Sequence, residues 1–349
     1  MHTEAAAQYG NQKMKWIVRE IHGAFYSLLS EDLQRERLGV LRGKHRIDRE
    51  THPSGIPFRN PICVGDRVQA SEDDPAAIES VEPRRNVIFR SSPHEIHKLG
   101  SNVDRALLVI SLKTPPLRTG FIDRFLLSAR AGDVPVWIIF TKPDLLQLNE
   151  EEDRQIVEYV HLYESLGIRC FCDNLTEPGS RPAEITLPGL ADLLQSLDGT
   201  TLLCGPSGAG KSTLTNLILM RSVQKTSHTS GSTGKGRHTT TSSQLFPLEG
   251  GGFLIDTPGI KEWGVAHLSR KDILELTQEL APGVENCQFR NCEHMPGTDG
   301  CGVIELLEKG VLAPSRRKSL DLILEERHLR IRPGDYKKAT GRLRPKGVS

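Results

Sequence analysis

The residues Gly205, Pro206, Ser207, Gly208, Ala209, Gly210, Lys211 and Ser212 match the phosphate-loop pattern GxxxxGKS at every fixed position, and Thr213 follows. That spacing has a chemical meaning. Glycines let backbone amides turn inward around phosphate oxygens, Lys211 reaches the outer phosphates and Ser212 reaches magnesium. A second cluster, Asp256, Thr257, Pro258 and Gly259, follows the short apolar run Phe253, Leu254, Ile255. Asp256 can hold magnesium directly or through water, and Gly259 can offer its amide to a terminal phosphate. The stretch 222–243 between them is rich in Ser, Thr, Gly, Lys and His and nearly free of large apolar side chains. It cannot bury itself, which predicts a mobile segment that closes onto ligand. Within it Thr240 is a candidate magnesium ligand and His238 a candidate polar contact to an attacking water. The position after Gly259 is Ile260, an apolar side chain, so intrinsic hydrolysis is expected to be slow.

Thr141, Lys142, Pro143 and Asp144 supply a base-recognition pattern. A carboxylate only accepts hydrogen bonds, so Asp144 suits the paired N1 and 2-amino donors of guanine. Lys142 would lay its aliphatic stem over the base. Thr141 stands where an Asn is usual and cannot offer the paired donor and acceptor of an amide, so weaker guanine selectivity is expected. Asp173, Asn174 and Leu175 likewise occupy the place of the usual Ser and Ala loop. The order matters most. Base recognition precedes the phosphate loop, and this predicts a circularly permuted GTPase.

Cys287, Cys292, His294 and Cys301 form a CxxxxCxH group closed by a further Cys, and three thiolates with one imidazole suit a single tetrahedral structural zinc. Six residues separate His294 from Cys301, among them Gly297 and Gly300. The other cysteines, Cys63, Cys170, Cys172 and Cys204, lie in or beside apolar runs and are expected as buried thiols rather than a disulfide framework.

These groups need elements to position them. Thr201 to Cys204 before the phosphate loop reads as a strand, and Leu214, Leu217, Ile218 and Met220 after it recur at helical spacing. Strands at 106–112, 134–141 and 168–172 alternate with helices at 121–131 and 154–166, as a doubly wound sheet requires. Upstream, β-rich pieces at 17–21, 24–29, 38–41, 67–70 and 86–89 suit a small barrel. Downstream, 271–280, 303–309 and 315–327 show helical apolar spacing around the cysteine cluster. At 349 residues the chain can hold two or three domains. Its net charge is +1, yet the tail gathers Arg316, Arg317, Lys318, Arg327, Arg330, Arg332, Lys337, Lys338, Arg342, Arg344 and Lys346 against few acids. Segregated positive charge of this kind meets phosphate backbone. No apolar stretch approaches the roughly twenty residues that span a bilayer, so no membrane partner is expected and the location is expected to be cytoplasmic.

From about Trp16 to Tyr336 the chain resembles the RsgA/YjeQ family of circularly permuted, ribosome-small-subunit-dependent GTPases. Matching segments include Leu41 to Lys44, Val64 to Val68, Asn102 to Asp104 and Asp123 to Leu126. The resemblance implies a multidomain α/β protein: a flexible tail at 1–15, an OB-fold RNA-binding barrel at 16–98, a permuted P-loop GTPase domain at 99–269 and a helical zinc-binding domain with a basic tail at 270–349. It implies zinc on the Cys/His group, magnesium with GTP, and a monomer acting on the small ribosomal subunit and its 16S rRNA during late maturation. Hydrolysis of GTP to GDP would be stimulated by the subunit and coupled to release. In the barrel, Arg42, Lys44, His45, Arg46 and Arg49, with Phe58 and Arg59, are the candidate RNA contacts. Two other readings are a nucleotide-gated RNA-binding module with little turnover and a P-loop ATPase or nucleotide kinase. Asp144 argues against the last of these, while Thr141 leaves it open.

Overall fold

The computed structural model describes residues 15–41, 52–92, 94–226, 242–249 and 251–329. Its first part is a closed five-stranded barrel. β1 (Lys15–His22), β2 (Phe25–Ser30) and β3 (Glu36–Leu41) form an antiparallel meander, and β4 (Arg67–Ala70) and β5 (Ala76–Val81) follow a long connection. β3 pairs in parallel with β5, β5 pairs with β4, and β4 returns to β1, so the sheet closes on itself. Alternate residues of a strand share a face. Trp16 and Val18, Tyr26 and Leu28, Val68 and Ala70, Ala76 and Ile78 therefore fill the interior together with Ile62.

One strand differs from the sequence expectation. The segment 86–89 does not enter the barrel; β6 (Val87–Ser91) and β7 (Ile96–Ser101) form a separate hairpin, and β5 takes the fifth place. The reason is where the apolar side chains find partners. Ile88 is fully buried in the core of the following domain, and Ser128 donates a hydrogen bond to the Phe89 carbonyl, so the hairpin is held by that domain's first helix.

The second part is a six-stranded sheet with helices on both faces. In chain order it comprises β8 (Arg105–Ser111), α1 (Thr119–Ala131), β9 (Val136–Thr141), α2 (Glu151–Ser165), β10 (Arg169–Asp173), α3 (Leu190–Ser196), β11 (Thr200–Cys204), α4 (Lys211–Thr226), β12 (Gln244–Pro247) and β13 (Phe253–Asp256). In space the order is β10, β9, β8, β11, β13, β12; the first five are parallel and β12 is antiparallel to β13. β8 is buried along its whole length, as a strand covered on both faces must be. Ala106, Leu108 and Ile110 face one core, Leu107 and Val109 the other. β11, which carries the phosphate loop, lies inside the sheet although it is the fourth strand of this part to be made. A single bridge, Glu20 opposite Gln244, joins β12 to β1, so the sheet runs on into the barrel.

The third part is helical: α5 (Arg270–Leu276), α6 (Gly302–Glu308) and α7 (Pro314–Leu329). α5 begins with a reciprocal cap, Asp272 N–H on Ser269 Oγ at 3.0 Å and Ser269 N–H on Asp272 Oδ2 at 2.7 Å. α7 packs along α1 through Leu320, Ile323 and Leu324. Arg316 of α7 is buried between Asp123 of α1 and Glu279, donating to the latter through Nε at 2.9 Å and Nη2 at 2.8 Å. Among the described residues no helix is long and apolar enough to cross a membrane.

Candidate functional site

The loop from Gly205 to Ser212 lies between the C-terminal end of β11 and the start of α4, the place where nucleotides meet parallel α/β sheets. Gly205 has φ +151°, and a Cβ there would stand 2.2 Å from the Val109 carbonyl oxygen, so only glycine lets the loop leave β11 this close to β8. Lys211 is buried; its Nζ donates to the Gly205 carbonyl at 2.9 Å and the Pro206 carbonyl at 2.7 Å. Burial pushes its ammonium down from the ordinary lysine range, against the pull of Asp256. Ser212 and Thr213 are exposed beside it on the first turn of α4.

β13 runs parallel to β11 and delivers Asp256 opposite Leu203. Thr257 then turns inward, donating to the Leu203 carbonyl at 2.7 Å, and Ile260 N–H reaches the Gly205 carbonyl at 3.1 Å. Between these anchors Gly259 passes so near the phosphate loop that a Cβ would lie 2.9 Å from Ser207 Cα. The chain after β13 is thus laced onto the loop before it. Ile260 is buried and offers no polar group at this corner. His238 and Thr240 lie outside the described residues.

The base-recognition segment sits at the end of β9, two strands from β11. Thr141 is fully buried, and its Oγ1 donates to the Ala209 carbonyl at 2.7 Å. Lys142 has a left-handed backbone, φ 58° and ψ 44°, which aims its side chain back at the loop. Its Nζ donates to the Thr114 carbonyl at 2.6 Å and the Gly208 carbonyl at 2.8 Å. Pro143 is buried and Asp144 is exposed. Both Thr141 and Lys142 therefore tie the base segment to the phosphate loop, and Asp144 is left with its carboxylate outward.

The loop after β10 departs from a simple amide loop for a visible reason. Asp173 is buried; Oδ1 accepts from Asn174 N–H at 2.9 Å and Gly179 N–H at 2.7 Å, while Oδ2 accepts from Leu190 N–H at 2.8 Å. It organises the Pro-rich segment and the start of α3, a short helix absent from the sequence expectation. Leu175 is buried on the far side of this turn, against Gly210.

In the helical part, the Cys287, Cys292, His294 and Cys301 ligand atoms all lie within 4.8 Å of one another. Cys287 Sγ stands 3.9 Å from Cys301 Sγ and 3.7 Å from His294 Nδ1, and His294 Nδ1 stands 3.3 Å from Cys301 Sγ. With bonds of about 2.3 Å to sulfur, a tetrahedron around zinc has sulfur–sulfur edges of about 3.8 Å. The residues fit that ion. Glycines at 297 and 300, both with positive φ, absorb the six-residue spacing. His294 Nε2 lies 2.9 Å from Glu275 Oε1 on α5, the carboxylate that orients a metal-binding imidazole. No spacing rule links Glu275 to the cluster, so only the packing of α5 reveals it. The remaining cysteines are buried free thiols, and burial pushes Cys170, Cys172 and Cys204 up to about 12.

Comparison with known proteins agrees with this arrangement. The RsgA GTPase family model matches residues 81–266. The chain is 35% identical over 320 residues to the small ribosomal subunit biogenesis GTPase RsgA of Phocaeicola vulgatus, covering 90% of this chain and 97% of that one. It is 40% identical over 291 residues to the protein of the same name from Porphyromonas gingivalis, covering 80% and 89%. Among solved structures, YjeQ from Thermotoga maritima is similar with a TM-score of 0.62 at 27% identity, covering 90% of this chain and 98% of that one. YloQ, a circularly permuted GTPase, shares the fold with a TM-score of 0.60 at 23% identity, covering 93% and 99%. A phosphate loop on an inner strand, base recognition upstream of it, a closed barrel before and a Cys/His cluster after meet in one chain, which belongs to the RsgA family of circularly permuted GTPases.

Proposed function

We propose that the protein hydrolyses GTP to GDP and phosphate during late maturation of the small ribosomal subunit, that the subunit stimulates the reaction and that turnover times release. The observation that carries this reading is the convergence of Thr141 to Asp144, the loop from Gly205 to Thr213 and the corner from Asp256 to Gly259 at one end of one sheet. In this reading Asp144 and Lys142 hold guanine, the loop and Lys211 hold the phosphates, and the Gly259 amide meets the terminal phosphate. Magnesium, which supplies charge neutralisation on the phosphates when bound, would be held by Ser212 and Asp256 together with Thr240. His238 would orient the attacking water. Residues 16–98 would bind 16S rRNA, 99–269 the nucleotide, and 270–349 a single structural zinc at Cys287, Cys292, His294 and Cys301, presenting the basic tail to RNA.

The test is GTP hydrolysis by the full chain with and without purified small subunits, with ATP as competitor. Stimulation by the subunit and no competition by ATP are expected. Equal rates in both conditions would leave a nucleotide-gated binding module, and ATP competing as well as GTP would leave a P-loop ATPase.

A further inference from the structure

A cavity of about 340 Å³ opens directly beside the phosphate loop. Pro206 and Ser207 of the loop line it together with Arg118, Phe121, Lys261 and Glu262. A second cleft of about 420 Å³ shares Arg118, Phe121, Lys261 and Glu262 with it. Ser207 is the residue on which Gly259 packs, so the cavity borders the corner where the terminal phosphate of a bound nucleotide would lie.

Arg118 breaks a local rule. It is the N-cap of α1, with extended φ −125° and ψ 103°, and it makes no side-chain capping bond. Ser, Thr, Asp and Asn are the residues that satisfy the first amides of a helix, and a positive charge there opposes the helix dipole. The first turn of α1 carries no acid to offset it. Arg118 is also exposed, and among the described residues its side chain has no ion-pair or hydrogen-bond partner. Glu262 lines the same cavity without engaging it. A residue that is poor for its helix and unpaired, yet faces the phosphate corner, is a local violation of the kind found at functional sites. Beyond magnesium and the phosphate-loop lysine, an arginine directed at the transferring group stabilises the charge that spreads over its oxygens. The neighbouring Ile260 cannot contribute a cation.

We propose that Arg118 is a catalytic residue of GTP hydrolysis, reaching across this cavity to donate N–H hydrogen bonds to oxygens of the terminal phosphoryl group. This rests on the phosphate-loop reading given above. A water oxygen bonds to the terminal phosphorus, the bond from that phosphorus to the bridging oxygen breaks, and GDP departs with the electron pair. The proton released by the water ends on the phosphate. Arg118 neither gives nor takes a proton; its fixed charge lowers the energy of the transition state.

The experiment compares the full-length protein with R118S, R118K and K211A, with and without small subunits. Melting temperature, GTP affinity, affinity for GDP with aluminium fluoride, and turnover are measured. R118S installs a preferred N-cap, so its melting temperature stays level or rises. Its GTP affinity stays within about threefold, while turnover and the aluminium fluoride complex weaken by about tenfold or more, R118K lying between. Unchanged turnover of R118S in both conditions would overturn the proposal. So would a joint fall in GTP affinity and turnover, which marks ground-state binding, or a lower melting temperature with lower turnover, which marks a structural role. K211A separates the two layers: if it still hydrolyses GTP, the phosphate-loop reading itself fails.

Discussion

At the scale of single residues, Thr141 shows how a departure from a motif can be absorbed. An amide would offer both a donor and an acceptor, whereas the threonine hydroxyl makes one short bond to the Ala209 carbonyl from a fully buried position. The tie between base segment and phosphate loop is kept, and Lys142 doubles it through Gly208. Thr141→Val keeps the shape and removes that bond. It should cost about 1–3 kcal/mol in urea denaturation and loosen nucleotide binding in a fluorescent GDP titration. Thr141→Asn adds volume where there is none and should destabilise by about 1–3 kcal/mol rather than sharpen guanine selection. In the proposed function Asp144 carries the selection. Asp144→Asn replaces an acceptor with a donor opposite the 2-amino group, so GTP affinity should fall by roughly tenfold or more and xanthosine triphosphate should compete better than in the parent.

Among the elements, the join between α1 and α7 depends on a buried cation. Burial pushes the Asp123 carboxyl up and opposes the charge of Glu279 as well, but Arg316 overrules burial at Glu279 and holds it below the ordinary range. Arg316→Ala would leave both acids without their partner and should cost about 3–5 kcal/mol, seen as faster hydrogen exchange in α7 before global melting. The hairpin β6–β7 gives a pH signature of opposite origin. Burial holds both His52, beside Phe58 and Phe89, and His97, beside Arg90, below the ordinary histidine range. A histidine with a depressed folded pKa adds stability above its unfolded pKa of about 6.5, and that stability is lost as pH falls through the folded value. Melting temperature should therefore drop between pH 7.5 and 5.5, and the drop should shrink in H52F/H97F. Chelation tests a third element: if the Cys/His cluster holds zinc as proposed, removing the metal should expose the 287–301 loop to exchange while nucleotide binding at the phosphate loop persists. These elements were unequally legible in the sequence. Motifs with fixed spacing, such as Gly205 to Ser212 or the cysteine cluster, announce themselves because backbone geometry or a metal demands that spacing. β5 was missed because only Ala76 and Ile78 of it are fully buried, a short apolar signal, and segment 86–89 went to the wrong sheet because alternation shows that a strand has a buried face, not which core buries it. Glu275 and Arg118 carry no spacing signal at all; packing alone brings Glu275 to His294 and Arg118 to the cavity that Ser207 lines.

For the whole molecule, permutation decides what touches what. Cutting the domain upstream of its base strand leaves the segment between α4 and β12 to lead into β12, which is bridged to β1 at Glu20 and Gln244. Ser242, the first described residue after that segment, donates to Glu20 Oε1 at 2.6 Å. β12, which follows the stretch proposed to sense nucleotide, is thus moored to a barrel strand by one backbone bridge and one side-chain bond. RNA bound on the barrel can shift the sensing stretch only if it favours one position of that mooring over another, because a ligand moves an equilibrium by its differential affinity for the two states. Glu20→Ala removes the side-chain bond without touching the phosphate loop, the base segment or the Cys/His cluster. Intrinsic GTP hydrolysis should stay within about twofold of the parent, and small-subunit binding in the presence of a nonhydrolysable analogue should persist. Stimulation by the subunit should fall by at least about fivefold, the lower end of ordinary coupling between sites. A Glu20→Ala protein with full stimulation would show that the signal reaches the phosphate corner by another route, through the hairpin and α1 rather than through β1 and β12.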